Sequence, residues 1–299
     1  MATITTVAAV PRVSASERRK RATGRLLVWP AAIWLLFFFV FPLIIVLIYS
    51  FLTPDSIFQV RGPLTINNYV RLTQPTYTGV IWRSLQTALV TTIISVLVGY
   101  PLAWFISTRP KETRNLFLLM VVIPFWTNFL VRTYAWLFIL NDNGLINSIV
   151  KDYLHLVDTP IQLVNTSFAV TIGLVYGYLP FMVLPIYTSL EKLNFRLIEA
   201  VYDLGGNDWQ AFWRVVLPLT LPGVLAGCVL VFIPALGAFV TPDLLGGAKA
   251  LMMATQVNDA VSSPTGKPFG SALSIVLMAL VSIALLIYFR FADRSETAL

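Results

Sequence analysis

The chain has 299 residues, 57% of them apolar and 12% charged, and a mean hydropathy of +0.78. Soluble domains carry about 25% charged residues, so a soluble globular enzyme is excluded and an integral membrane protein is expected. One cysteine, Cys228, and one histidine, His155, exclude an intrachain disulfide and leave too little material for a His-based metal site or a Ser/His relay.

The first 25 residues form a basic tail with the run Glu17-Arg18-Arg19-Lys20-Arg21. Six apolar stretches follow, at 26–51, 85–107, 116–140, 168–190, 217–240 and 271–289, each long enough for the ~17–20 residues a helix needs to cross a bilayer. The first is too long for a signal-peptide core and lacks a small-x-small cleavage pattern after it, so it is expected to be retained. With the N-terminus in the cytoplasm, the inner segments 1–25, 108–115, 191–216 and 290–299 hold 14 of the 21 basic residues and 8 of the 14 acids. The outer segments are balanced and Arg132 alone falls within a span. The basic excess follows the positive-inside pattern, which accounts for the pI near 9.6 without nucleic acid. The expected organisation is a 26–291 membrane domain with a cytoplasmic tail on each side, 1–25 and 292–299. Of the two large outer loops, 52–84 and 141–167, the first carries Leu52-Thr53-Pro54-Asp55 and Gly62-Pro63 and is expected to be ordered, with short helices.

Between the fourth and fifth spans lies a polar loop, 191–216. Asn194 is a candidate N-cap for a helix over 195–204, with Leu197, Ile198, Val201, Tyr202 and Leu204 on one face and Arg196, Glu199 and Asp203 on the other. Gly205-Gly206 offers the left-handed residue that helix ends prefer, and Asn207 or Asp208 can cap a second helix over 209–217. The pattern predicts two short helices at the membrane surface, a rigid lever on the fifth span. The same pattern also fits an ordinary interfacial helix joining two spans.

The spacing Glu199-Ala200, Gly205, Leu217-Pro218 resembles the E-A-A-x3-G-x9-I-x-L-P loop of ABC importer permeases, with Val201 in place of the second Ala and Val215 in place of Ile. Pro124-Phe125-Trp126-Thr127-Asn128 through Arg132-Thr133-Tyr134, Gly173-Leu174-Val175-Tyr176 through Leu179-Pro180-Phe181-Met182-Val183, Ser189-Leu190-Glu191-Lys192-Leu193, and Phe239 through Pro242-Asp243-Leu244-Leu245-Gly246-Gly247-Ala248-Lys249 are similar to the B-type permease subunit of spermidine/putrescine ABC importers. That resemblance implies an all-α membrane protein of six transmembrane helices, the type I importer architecture, in a bacterial cytoplasmic membrane. It also implies a separate ATP-binding subunit that carries ATP and Mg and docks on Glu199, Ala200, Asp203, Gly205, Leu217 and Pro218. A second, related permease and an external solute-binding protein complete the implied machine. The sequence agrees that ATP chemistry lies elsewhere: no segment reads G-x4-G-K-[ST], and the only Gly-Lys, Gly266-Lys267, is followed by Pro268. No cofactor is expected on this chain.

A polycation leaving water needs acids, carbonyls or aromatic faces along its path. Asp243 is the one acid near the outer half of the spans, and Pro234, Gly237 and Pro242 beside it favour an interrupted helix. Trp126, Tyr134, Tyr176 and Tyr178 are the aromatic candidates, although interfacial belts and helix packing explain most such residues. On a straight third helix, Arg132 lies sixteen residues beyond Leu116, about 24 Å across the membrane and about 6 Å from its outer interface. In the path it would favour a carboxylate-bearing solute. The alternatives are another small nitrogenous solute such as an amino-acid derivative, an assembly subunit, or an ion-coupled carrier, for which intramembrane acids are scarce.

Overall fold

A computed structural model describes residues 29–55, 60 and 62–296. The tail 1–25 lies outside the described residues, as do positions 297–299 of the tail expected at 292–299. Helix α1, Trp29–Ser50, contains a π turn at Leu36–Val40, and none of its apolar window is buried. Up to Ile48 it belongs to a unit of its own, and Tyr49–Leu299 forms the second unit.

The second unit is helical throughout its framework. The expected short helix in the first outer loop is α2, Asn67–Leu72, anchored where the Asn68 amide donates to the carbonyls of Ser50 at 2.9 Å and Leu52 at 3.0 Å. Then comes α3, Pro75–Ser107, which begins ten residues before the apolar stretch expected at 85–107. Pro75 opens it at a position where a missing N–H costs nothing, and its first turns pack against the start of the last helix through Val80, Phe269 and Leu273. Hydropathy marks the part of a helix inside the bilayer and is blind to a helix that continues into protein contacts beyond it.

The third span departs most from expectation. In place of one straight helix over 116–140 there are two, α4 at Lys111–Trp126 and α5 at Phe129–Leu140, and the segments Lys111–Trp126 and Phe129–Tyr153 meet at 90°. Thr127 and Asn128 are extended between them. The Thr127 hydroxyl donates to the Pro124 carbonyl at 2.7 Å, and Asn128 Oδ1 accepts the Leu130 N–H at 2.8 Å. These bonds satisfy backbone groups that the break exposes, and the straight-helix depth for Arg132 is withdrawn.

After a loop with a π turn at Ser148–Tyr153, α6 runs Ser167–Glu191 from a Thr166 cap, matching the span expected at 168–190. The loop helix α7 is Arg196–Asp203. The fifth span, expected at 217–240 after a separate 209–217 helix, is instead one rod, α8, Asp208–Leu236, with a π turn at Phe212–Val216. It stops at Gly237, after Pro234. The chain then forms α9, Val240–Gly246, and α10, Met253–Ser262, before α11, Lys267–Glu296, which extends the stretch expected at 271–289 at both ends. Five helices among the described residues are long and apolar enough to cross a membrane, and the bent pair makes a sixth.

α3, α6 and α8 form the core. Tyr100, Ile106, Met182, Ile186, Leu190 and Val216 are buried together where α3 and α6 end and α8 begins. A second cluster, with Leu140, Val170, Leu174 and Leu245, closes the opposite end. The helices approach closely at Met182. A Cβ on Gly99 would lie 2.9 Å from its Cγ, and one on Gly227 would lie 2.7 Å from its sulfur. The Tyr100 and Thr220 hydroxyls, 2.9 Å apart, join α3 to α8 with a hydrogen bond in the same interior.

Candidate functional site

Two regions carry the candidate residues, the 192–207 loop and the broken helices at the other end. In the loop, Asn194 Oδ1 accepts the Arg196 N–H at 3.2 Å, while Phe195 takes the N-cap position expected for Asn194. α7 ends as the Gly-Gly pair predicts. Gly205 has φ +78°, and the Gly205 and Gly206 N–H groups close on the carbonyls of Tyr202 and Val201. Asn207 and Gln210 then form a reciprocal capping box at the start of α8. Across the turn the Tyr202 hydroxyl donates to Asp208 at 2.8 Å. Donation to a carboxylate holds the phenol above its ordinary pKa, so it stays a donor at neutral pH.

Only Ile198 and Val201 of the expected apolar face are half-buried, with Ile198 packed on the core. Leu197 and Tyr202 are exposed and Leu204 is 89% exposed. Glu199, Ala200, Asp203 and Gly205 are exposed as well. Beside them lies a groove of about 390 Å³ lined by Trp104, Ile198, Tyr202, Asp208, Trp209 and Phe212. Leu217 and Pro218 stand apart from this group, on the rod, with Leu217 packed against the core. The exposed indoles of Trp209 and Trp213 escaped the sequence reading; their spacing of four on a capped helix start is the signal that marks them.

At the opposite end, Trp126 is the last residue of α4 and is 78% exposed; Tyr134 is exposed on α5. Tyr176 meets Trp136 edge-on at 5.6 Å. Tyr178 is half-buried on α6 and its hydroxyl donates to the carbonyl of Pro234 at 3.3 Å, close to where α8 stops. The Tyr178 ring stands 6.4 Å from that of Phe181, and Arg132 lies over Phe125 at 5.5 Å and Phe129 at 5.7 Å. Its Nε is buried without a hydrogen-bond partner among the described residues. Phe181 joins this group, 5.0 Å from Phe125. Asp243 is exposed in the first turn of α9, and no hydrogen bond or ion pair among the described residues joins it to the four aromatic candidates. The structure therefore links Tyr178 to Arg132 through Phe181 and Phe125, phenylalanines that sequence reasoning passed over as ordinary span residues, and leaves Asp243 separate.

With a bent six-span framework, a capped surface helix and an exposed loop face in place, comparison with known proteins decides the family. Residues 77–297 match the model of the binding-protein-dependent transport system inner membrane component. This chain belongs to that family. Its relatives are transport permeases. The spermidine/putrescine transport system permease protein PotB of Haemophilus influenzae is 46% identical over 257 residues, covering 86% of this chain and 90% of that protein. PotB of Escherichia coli K12 is 42% identical over 86% of this chain and 93% of its own length. The inner membrane ABC transporter permease protein YdcU of the same strain is 30% identical over 77% of each. Among solved structures, a chain of a bacterial alginate ABC transporter, in complex with an alginate pentasaccharide-bound periplasmic protein, aligns over 93% of this chain and 96% of its own with a TM-score of 0.75. A chain of the MetNI methionine ABC transporter aligns over 75% and 99% with a TM-score of 0.54. At 15% and 17% identity, these two carry the fold alone: the all-α type I ABC importer permease. An inner membrane component of this family is a transport subunit.

Proposed function

We propose that this chain is a permease subunit of an ATP-driven importer for polyamines of the spermidine/putrescine class. The observation that carries the reading is the 46% identity to a spermidine/putrescine permease across 90% of that protein's length. The chain forms the path with a second, related permease and takes solute from an external binding protein. Both termini and the 192–207 loop face the cytoplasm, where most of the basic residues fall.

The loop is the seat of the ATP-binding subunit. An exposed Leu204, Leu197 and Tyr202 beside Glu199 and Asp203 give a partner apolar contact with a polar rim. The capping box and the Gly205 turn hold α7 rigidly against the start of α8, so closure of the ATPase pair moves the span as a body. ATP and Mg stay on that partner. On the path side, Asp243 supplies a carboxylate to a passing cation, and Trp126, Tyr134, Tyr176 and Tyr178 supply ring faces, each worth about 0.5–2 kcal/mol to a cation.

The test is ATP-dependent uptake of labelled spermidine and putrescine into vesicles holding this chain and its co-encoded partners, challenged by unlabelled amino acids. Uptake blocked by polyamines alone supports the reading. Uptake of an acidic or zwitterionic solute with none of polyamines replaces it with that solute class and turns attention to Arg132.

A further inference from the structure

Arg114 stands in the first turn of α4, with its side chain 17% exposed. Its Nη2 donates to the carbonyls of Ser107 at 2.8 Å and Arg109 at 3.2 Å, at the end of α3 and in the connector beyond it. Its Nη1 donates to Glu191 Oε1 at 3.2 Å, and the Tyr187 hydroxyl donates to the same oxygen at 3.0 Å. The guanidinium carbon lies 6.0 Å from the centre of the Tyr187 ring. One side chain thus ties together the ends of α3 and α6 and the start of α4.

The two sides of this clamp differ in how firmly they are held. No residue of α4 is buried, although Phe117, Leu118 and Val121 lean on the core. Arg114 is therefore the main polar tether at the foot of that helix. On the other side, Glu191 is the last residue of α6, and the loop that carries α7 begins directly after it. Leu193, buried in the core, fixes the first step of the loop, so displacement of α7 reaches Glu191 through a short, packed connection.

We propose that Arg114 and Glu191, with Tyr187 as the second donor, form the link that passes movement of the 192–207 loop to α4. The link rests on the proposed seating of the ATP-binding subunit on that loop. α4 spans 16 residues, about 24 Å, and its far end is the Thr127–Asn128 break that carries Trp126 and leads to Arg132. A tilt of about 5° at the foot moves that far end by about 2 Å for a rod of this length. The guanidinium is shielded at 17% exposure while the Glu191 side chain is 50% exposed, so the pair depends on geometry more than on burial. Its bonds to two carbonyls point the fork so that the remaining Nη1 meets the carboxylate. Arg114 and Glu191 are positioning residues, remote from any solute.

The test uses the whole complex in proteoliposomes, with spermidine uptake and ATP hydrolysis measured on the same preparation. Glu191→Ala keeps the Arg114 bonds to Ser107 and Arg109 and removes only the link. The expected result is normal assembly and ATP hydrolysis with spermidine taken up per ATP reduced by about tenfold, equivalent to about 1.4 kcal/mol of coupling. Arg114→Met is expected to share the defect and Arg114→Lys to recover part of it. Spin labels on Leu119→Cys and on α6, in a Cys228→Ala background, should report an ATP-driven distance change that Glu191→Ala abolishes. An unchanged ratio and distance change in Glu191→Ala overturns the link, as does a parallel fall of assembly, hydrolysis and uptake, the mark of a merely structural tie. Cross-linking from Leu204→Cys separates the underlying reading: no cross-link to the ATP-binding subunit in an active complex removes the docking seat, and the link with it.

Discussion

Glu199 is exposed on α7, and no hydrogen bond or ion pair of its carboxylate is found among the described residues. Reversing an exposed charge of this kind changes folding by about 0.5 kcal/mol or less, so Glu199→Lys should insert and assemble in the membrane normally. Its ATP-driven uptake should nevertheless fall strongly, and full uptake by this variant would remove Glu199 from the docking surface. Asp243 is the counterpart at the other end. Losing one carboxylate–cation contact of about 1 kcal/mol raises the half-saturating concentration about fivefold, so Asp243→Asn should shift the spermidine dose response by that order; an unshifted curve takes Asp243 out of the path. At this scale the sequence was readable for residues whose chemistry is local. Gly205 as a left-handed helix stop and Asn207 as a cap both follow from their neighbours. The Arg132, Tyr178 and Phe181 group was hidden, because it depends on a fold-back that brings α5 beside α6, and the Arg114–Glu191 pair joins residues separated by 77 positions.

Among the elements, the turn after α7 and the contact at Met182 respond in opposite ways to substitution. At Gly205 an added Cβ meets nothing within 4 Å, but its φ of +78° is disfavoured for other residues by about 1–2 kcal/mol. Gly205→Val should therefore tilt α7 and depress uptake with little loss of thermal stability, which uptake and unfolding measured on one preparation will separate. Gly227 is the reverse case: the added atoms of Gly227→Val strike Met182 in the middle of the bundle. Overpacking of this sort costs about 1–3 kcal/mol, so a lower unfolding temperature in detergent is expected, and an unchanged one would mean that α6 and α8 separate there freely. Element identity was legible because each span is a long apolar run. The break in the third span was not, since Thr127-Asn128 interrupts that run by only two residues and a hydropathy window averages over them. The local chemistry, Pro124 followed by a hydroxyl and a capping Asn, was the readable sign.

On the scale of the molecule, the proposed function makes the helices a path wall and the 192–207 loop a transmitter, with chemical energy entering from a partner. The purified chain should hydrolyse no ATP alone and should support hydrolysis stimulated by spermidine-loaded binding protein once its partners are added; hydrolysis by the isolated chain would contradict the assignment of ATP to a partner. The six-span architecture was legible from composition and the long apolar runs. What the sequence concealed is continuity. The loop's second helix and the fifth span are one rod from Asp208 to Leu236, with the π turn at Phe212–Val216 inside it. A π turn accommodates one more residue than an α turn, and each residue of an α-helix advances the rotation by about 100°. The rod thus carries a built-in phase offset between the face it turns to α7 and the face it turns to the core. Deleting one residue there, such as Arg214, would leave a more regular helix with its two ends facing the wrong neighbours: the irregular turn sets the angular timing between the surface loop and the fifth span.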